Sequence, residues 1–134
     1  MQIEEIKTLN APPPRGAYSQ AVKVGNMIYT AGQLPISPET NEPIKGDIEQ
    51  QTHLVLDNLK SVIEAAGSDL DHVIKTTVFI ADMDNWDKVN QIYGEYFTGQ
   101  VLPSRSIVAT QALHYGMLIE IEAVALPYTK RKEQ

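Results

Sequence analysis

An α+β fold, a mixed β-sheet carrying two helices on one face, is predicted by three observations. Apolar residues recur at three- and four-residue spacing over residues 48–66 and again over 86–97, the period of a helix with one buried stripe. Short runs around them either alternate apolar with polar residues or concentrate β-branched ones, as strands do. The resulting order is strands, helix, strand, helix and two last strands, which packs most easily with both helices on the same side of the sheet.

Residues 3–9 can form a first strand, stopped by Ala11-Pro12-Pro13-Pro14-Arg15-Gly16, where three prolines withhold backbone donors and stiffen a loop. Residues 18–24 and 27–30 read as two strands joined at Gly25-Asn26, a pair suited to a tight hairpin turn. On this pattern alone Tyr18 is a half-buried strand aromatic. Residues 34–46 hold Pro35, Pro38 and Pro43 among Ser, Thr and Asn, and form a surface loop.

Asp47 is the expected N-cap of the first helix, with Gln50 completing a capping box and Gly67 as the stop signal. Ile48, Thr52, Val55, Leu56, Leu59, Val62, Ile63 and Ala66 form its buried stripe. His53 has no second ligand at helical spacing and is expected on the surface. Residues 73–80 form a well-buried strand. Asp84 is the expected cap of the second helix and Gly99 its stop, with Trp86, Val89, Ile92, Tyr93, Tyr96 and Phe97 as core. Beside that stripe, Asn90 is expected to be a partly buried amide acting as a structural tie. There is no internal repeat, and the tail over residues 128–134, with Lys130, Arg131 and Lys132, is given no function.

The chain has 134 residues, enough for one domain spanning 1–134 and its own core. Its net charge of −6 disfavours nonspecific attraction to phosphate backbones or anionic membranes. The absence of cysteine excludes disulfides, thiolate metal sites and cysteine nucleophiles. The first residues have neither a secretory nor a transit-peptide pattern, and no apolar run approaches the roughly 20 residues that span a bilayer. A soluble cytoplasmic protein is expected.

Residues 101–124 are expected to form a strand, a connection and a returning strand, with Ile107 and Ala109 on one side of the first and Ile119, Ile121 and Ala123 on one side of the second. Arg105 and Glu120 stand inside this hairpin. An arginine held on a strand offers a planar fork suited to a carboxylate, and a nearby glutamate can handle water or a proton. A cross-strand ion pair or a solvated face is the more ordinary outcome for such a pair.

Six blocks taken together carry more: Tyr18-Ser19-Gln20, Thr30-Ala31-Gly32-Gln33, Lys75-Thr76-Thr77-Val78-Phe79, Val89-Asn90-Gln91-Ile92-Tyr93, Pro103-Ser104-Arg105-Ser106 and Ile119-Glu120-Ile121-Glu122-Ala123. In this order, from about Ala11 to Val124, the chain resembles the RidA/YjgF family of reactive-intermediate deaminases. The resemblance implies a chorismate-mutase-like fold closing into a homotrimeric barrel with clefts between subunits. It also implies hydrolysis of 2-imino acids, formed from enamines that pyridoxal-phosphate dehydratases release, to 2-keto acids and ammonia without metal or organic cofactor. By the same resemblance Arg105 would bind the substrate carboxylate and Glu120 would position water. Tyr18, the backbone at Gly32, Asn90 and the backbone at Ile107 would complete the cleft. Ala31 stands where many members have Ser, and Ile107 where many have Cys. Leu113-His114-Tyr115-Gly116 replaces the common Leu-Pro-Lys-Asp, so the rim departs from the pattern, and His114 and Tyr115 either edge the cleft or are solvated.

Two other function classes compete with an imine hydrolase. A noncatalytic trimer could hold 2-keto acids with the same arginine and regulate a partner. A ribonuclease or translation inhibitor fits poorly, because the chain is acidic and has neither a histidine pair nor a basic groove studded with aromatics.

Overall fold

In the computed structural model, residues 1–127 are described; the 128–134 tail lies outside them. Among the described residues six strands form one mixed sheet in the order β1-β2-β3-β6-β4-β5. These are β1 (Glu4–Ile6), β2 (Ala21–Val24), β3 (Met27–Thr30), β4 (Val73–Ile80), β5 (Ser104–Ala109) and β6 (Ile119–Ala125). Two helices, α1 (Ile48–Ala65) and α2 (Trp86–Tyr96), cover one face, as the element order predicts. No helix among the described residues is long and apolar enough to cross a membrane.

Strand parity decides which side chains the helices cover. Thr76, Val78 and Ile80 on β4 and Ile119, Ile121 and Ala123 on β6 are buried beneath them. Lys75, Thr77 and Phe79 alternate to the other face with Glu120, Glu122 and Val124. That second face also carries Val22 and Tyr29, and neither helix packs on it.

Helix α1 begins as predicted. Gln50 N donates to Asp47 Oδ1 at 2.9 Å and Asp47 N to Gln50 Oε1 at 3.0 Å, a reciprocal capping box. The chain leaves the helix through Gly67, whose φ of +81° suits a residue without Cβ. Apart from the partly buried Ile48, the apolar stripe is buried, together with two amides that its period does not reveal, Gln51 and Asn58. Asn58 donates to Leu34 O and Ile36 O, while Gln51 donates to Gly46 O and accepts from Leu118 N. These bonds tie the proline-rich 34–46 loop and the entry to β6 onto the helix.

Several expectations need correction. β5 and β6 do not form a hairpin: β4 lies between them, parallel to β5 and antiparallel to β6. The β-branched β4 takes the interior position, and α2 supplies the crossover that a parallel pair requires. Tyr18 precedes β2 instead of lying in it and is 52% exposed. Asp84 does not cap α2, since Asp82 accepts from Asp84 N in a short 3-10 turn (Met83–Asn85), and the N-cap residue Asn85 makes no side-chain cap bond. The helix ends at Tyr96 with Phe97 as its C-cap, short of Gly99. Trp86 lies outside the core at 37% exposed, because it opens the helix at the sheet's edge.

Candidate functional site

The structure gathers the expected residues into two groups. The first lies at the β5 edge on the helix-covered face. Arg105 Nη1 donates to Asn90 Oδ1 at 2.9 Å, and its guanidinium stands 4.8 Å from the Tyr93 ring centroid and 5.7 Å from that of Trp86. Asn90 is exposed rather than partly buried, and the tie it makes is to Arg105. Tyr93 is fixed beneath the guanidinium by a 2.7 Å hydrogen bond shared with Thr76 Oγ1. Burial pushes its hydroxyl pKa up, against the opposing pull of that hydrogen bond and of Arg105. Ile107, two residues along β5 on the same face, is half-buried and packs against the core.

The second group forms around the first half of β6. Gln33 N donates to Ile121 O at 2.7 Å and Ile121 N to Gln33 O at 3.1 Å, extending the β3–β6 pairing past the end of β3. From Ile28↔Ala125 to Gln33↔Ile121 the chain advances five residues on one side and four on the other. The extra residue is a bulge-like irregularity that re-aims the Thr30-Ala31-Gly32 segment. It brings Gly32 against Glu120, so that a Cβ at Gly32 would collide with the Glu120 carboxylate. A side chain at position 32 would therefore push the Glu120 carboxylate out of this place. Tyr18 and Arg15 share a small cleft with Gly32 and Gln33, and Arg15 N donates to the Tyr18 hydroxyl at 3.0 Å.

Burial, reinforced by the neighbouring Glu122, holds the Glu120 carboxyl above the usual glutamate range, while His114 pulls it partway back. His114 and Tyr115 are exposed and stacked, with centroids 3.8 Å apart. They edge the Glu120 side of the chain, with the Tyr115 ring 5.0 Å from the Arg15 guanidinium.

The two groups do not meet within one chain. Arg105 lies in register with Thr76, and Thr76 with Ala123, so Arg105 and Glu120 are two strands and three residues apart, roughly 14 Å between backbones, and on opposite faces. The cross-strand ion pair is absent. Among the described residues neither Arg15 nor Arg105 has a carboxylate within ion-pair distance, and no cluster of three potential metal ligands occurs. His53 stands on the surface beside Tyr96 and Glu95. The residue pattern missed Trp86 and Tyr93 as a platform, because their helical spacing reads equally well as core. It also missed Arg15, which carries no signal in a proline-rich loop.

Comparison with known proteins agrees with this architecture. The family model described as Endoribonuclease L-PSP matches residues 8–127. A RutC family protein of Pyrococcus horikoshii is 52% identical, covering 91% of this chain and 96% of its own. The 2-iminobutanoate/2-iminopropanoate deaminase of Escherichia coli is 42% identical, covering 90% of this chain and 95% of its own. The crystal structure of YyfA from Yersinia pestis, of the Rid protein family, superposes with a TM-score of 0.91 at 43% identity, covering 93% of this chain and 99% of that one. Matches of this extent and depth, over a sheet that carries the expected residues, show that the chain belongs to the RidA/YjgF family, which also bears the description Endoribonuclease L-PSP.

Proposed function

We propose that the protein hydrolyses small 2-imino acids, such as 2-iminobutanoate and 2-iminopropanoate, to 2-keto acids and ammonia, in clefts formed between copies of the chain. The observation that carries this reading is Arg105, an arginine stacked on Tyr93 and bonded only to a neutral amide. Such a guanidinium keeps donors for the two oxygens of a substrate carboxylate. Holding that carboxylate orients the adjacent imine carbon and replaces a bimolecular encounter with a fixed geometry.

Glu120 supplies the acid–base function. Its raised pKa makes the carboxylate a stronger base than an exposed glutamate. It takes a proton from water as the oxygen adds to the C=N carbon and returns one to nitrogen as the C–N bond breaks. Tyr18, Gly32, Asn90 and Ile107 orient the substrate, the last through its backbone. Because Arg105 and Glu120 of one chain face away from each other, the site pairs the Arg105 group of one copy with the Glu120 group of its neighbour. A homotrimer whose uncovered sheet faces pack into a barrel provides that pairing and buries Val22, Phe79, Tyr29 and Val124. The relative's deaminase name supports the reaction class. The family's endoribonuclease description finds less support in a chain of net charge −6. We place the reaction in the cytoplasm, a reducing compartment suited to a cysteine-free chain.

A coupled assay tests the reaction. A threonine or serine dehydratase generates the imine, semicarbazide traps what survives, and wild type is compared with Arg105→Ala and with a blank. Depletion of trapped imine by wild type alone is the expected result. If neither protein depletes it while wild type still binds 2-keto acids, the site is a carboxylate sensor and the hydrolase reading fails.

A further inference from the structure

Arg15 repeats the arrangement of Arg105 in miniature. Each guanidinium is held against a tyrosine ring, Tyr93 at 4.8 Å for Arg105 and Tyr115 at 5.0 Å for Arg15. Each donates to one neutral oxygen, Asn90 Oδ1 in one case and the Asn41 carbonyl in the other. Among the described residues neither is neutralised by a carboxylate, although acidic side chains outnumber basic ones by 17 to 11. Arg15 is exposed, and an arginine set against an aromatic face with a single neutral acceptor keeps donors of its fork free for an anion.

Its position gives that fork a purpose. Arg15 lines the same cleft as Tyr18 and Gly32, and Gly32 lies against the Glu120 carboxylate. The ring that supports it is held in an uncommon backbone state, since Tyr115 has φ +61° and is followed by Gly116 at φ +70°. A left-handed backbone is strained for a tyrosine, and such conformations cluster at functional sites.

Resting on the imine-hydrolase reading above, we propose that Arg15 binds a second carboxylate, so that the cleft selects 2-imino dicarboxylic acids over 2-imino monocarboxylic acids. The α-carboxylate stays with Arg105 of the neighbouring copy, and the distal carboxylate reaches across the Glu120 group to Arg15. The chemistry is unchanged: water adds to the C=N carbon, the C–N bond breaks, and ammonia leaves a 2-keto dicarboxylate. No oxidant or reductant is consumed. Reactions that oxidise acidic amino acids to their imines are the class that would supply this substrate.

The test uses full-length wild type, Arg15→Ala and Arg15→Lys. Turnover of 2-iminobutanoate and 2-iminoglutarate, generated in place by amino-acid oxidases, is measured beside calorimetric binding of 2-oxobutanoate and 2-oxoglutarate. Wild type is expected to favour the dicarboxylate. Arg15→Ala should lower the dicarboxylate-to-monocarboxylate ratio about tenfold to hundredfold, the loss of a charge-assisted pair, and Arg15→Lys should recover part of it. A ratio unchanged by Arg15→Ala, or equal losses on both ligands, overturns the proposal and leaves the hydrolase reading intact. Arg15-dependent selectivity in keto-acid binding without any imine turnover sinks the hydrolase reading and upholds Arg15 as the selector. Failure of both ligands to bind or react removes both.

Discussion

At the scale of single residues, the proposed site rests on how closely Gly32 approaches Glu120. An added methyl must displace the carboxylate, so Gly32→Ala is expected to lower imine turnover about tenfold or more, the usual penalty for misplacing a reacting group. Steady-state kinetics and a thermal melt on the same sample separate this from misfolding, since Gly32 is not in a left-handed conformation. Glu120 gives a second expectation. Its pKa is raised, chiefly by burial and then by Glu122. In the window between the ordinary glutamate value and the raised one, the folded protein binds more protons than the unfolded chain, so stability falls as pH rises through it. Glu120→Gln should raise the melting temperature at neutral pH, with the gain vanishing in acid below that window. Glu122→Gln should move the acidic limb of the wild-type rate profile to lower pH, and an unmoved limb would show that Glu120 does not control it.

At the scale of elements, α2 matters as the support for Arg105. Tyr93 joins the helix to β4 through Thr76 and presents its ring to the guanidinium. Tyr93→Phe leaves the Thr76 hydroxyl buried without its partner and is expected to cost about 1–3 kcal/mol in urea unfolding. Tyr93→Leu removes the aromatic face as well and should raise KM, because Arg105 loses its platform. Helix α1 acts on the other group: its buried Asn58 and Gln51 hold the 34–46 loop and the start of β6, the segments flanking Gly32 and Glu120.

At the scale of the whole molecule, the proposed pairing of Arg105 from one copy with Glu120 of another makes activity depend on assembly. Arg105→Ala and Glu120→Gln variants, each inactive alone, are expected to regain activity when unfolded together and refolded as a mixture. Random assembly of equal amounts leaves about a quarter of inter-copy clefts with both groups intact. No recovery, with mixed assemblies demonstrated by mass spectrometry, would place both groups of a working site in one chain.

Much of this was legible from residue order alone. The capping box at Asp47 and Gln50, the 3.6-residue stripe of α1 and the β-branched run of β4 are local signals, set by short-range sterics and backbone hydrogen bonding, and they reappear in the fold. The family resemblance supplied Arg105, Glu120, Tyr18, Gly32, Asn90 and Ile107 as the proposed site, whose roles the experiments above test. What required the tertiary structure was strand order. Local alternation is the same whether β5 pairs with β6 or with β4, so the expected hairpin and the observed β6-β4-β5 order have identical sequence periods. That order sets which residues share a face, and thereby splits the candidate site into an arginine group and a glutamate group. It also brings Arg15, Tyr115 and Gly32 into one neighbourhood from three distant segments, a proximity that no spacing along the chain encodes.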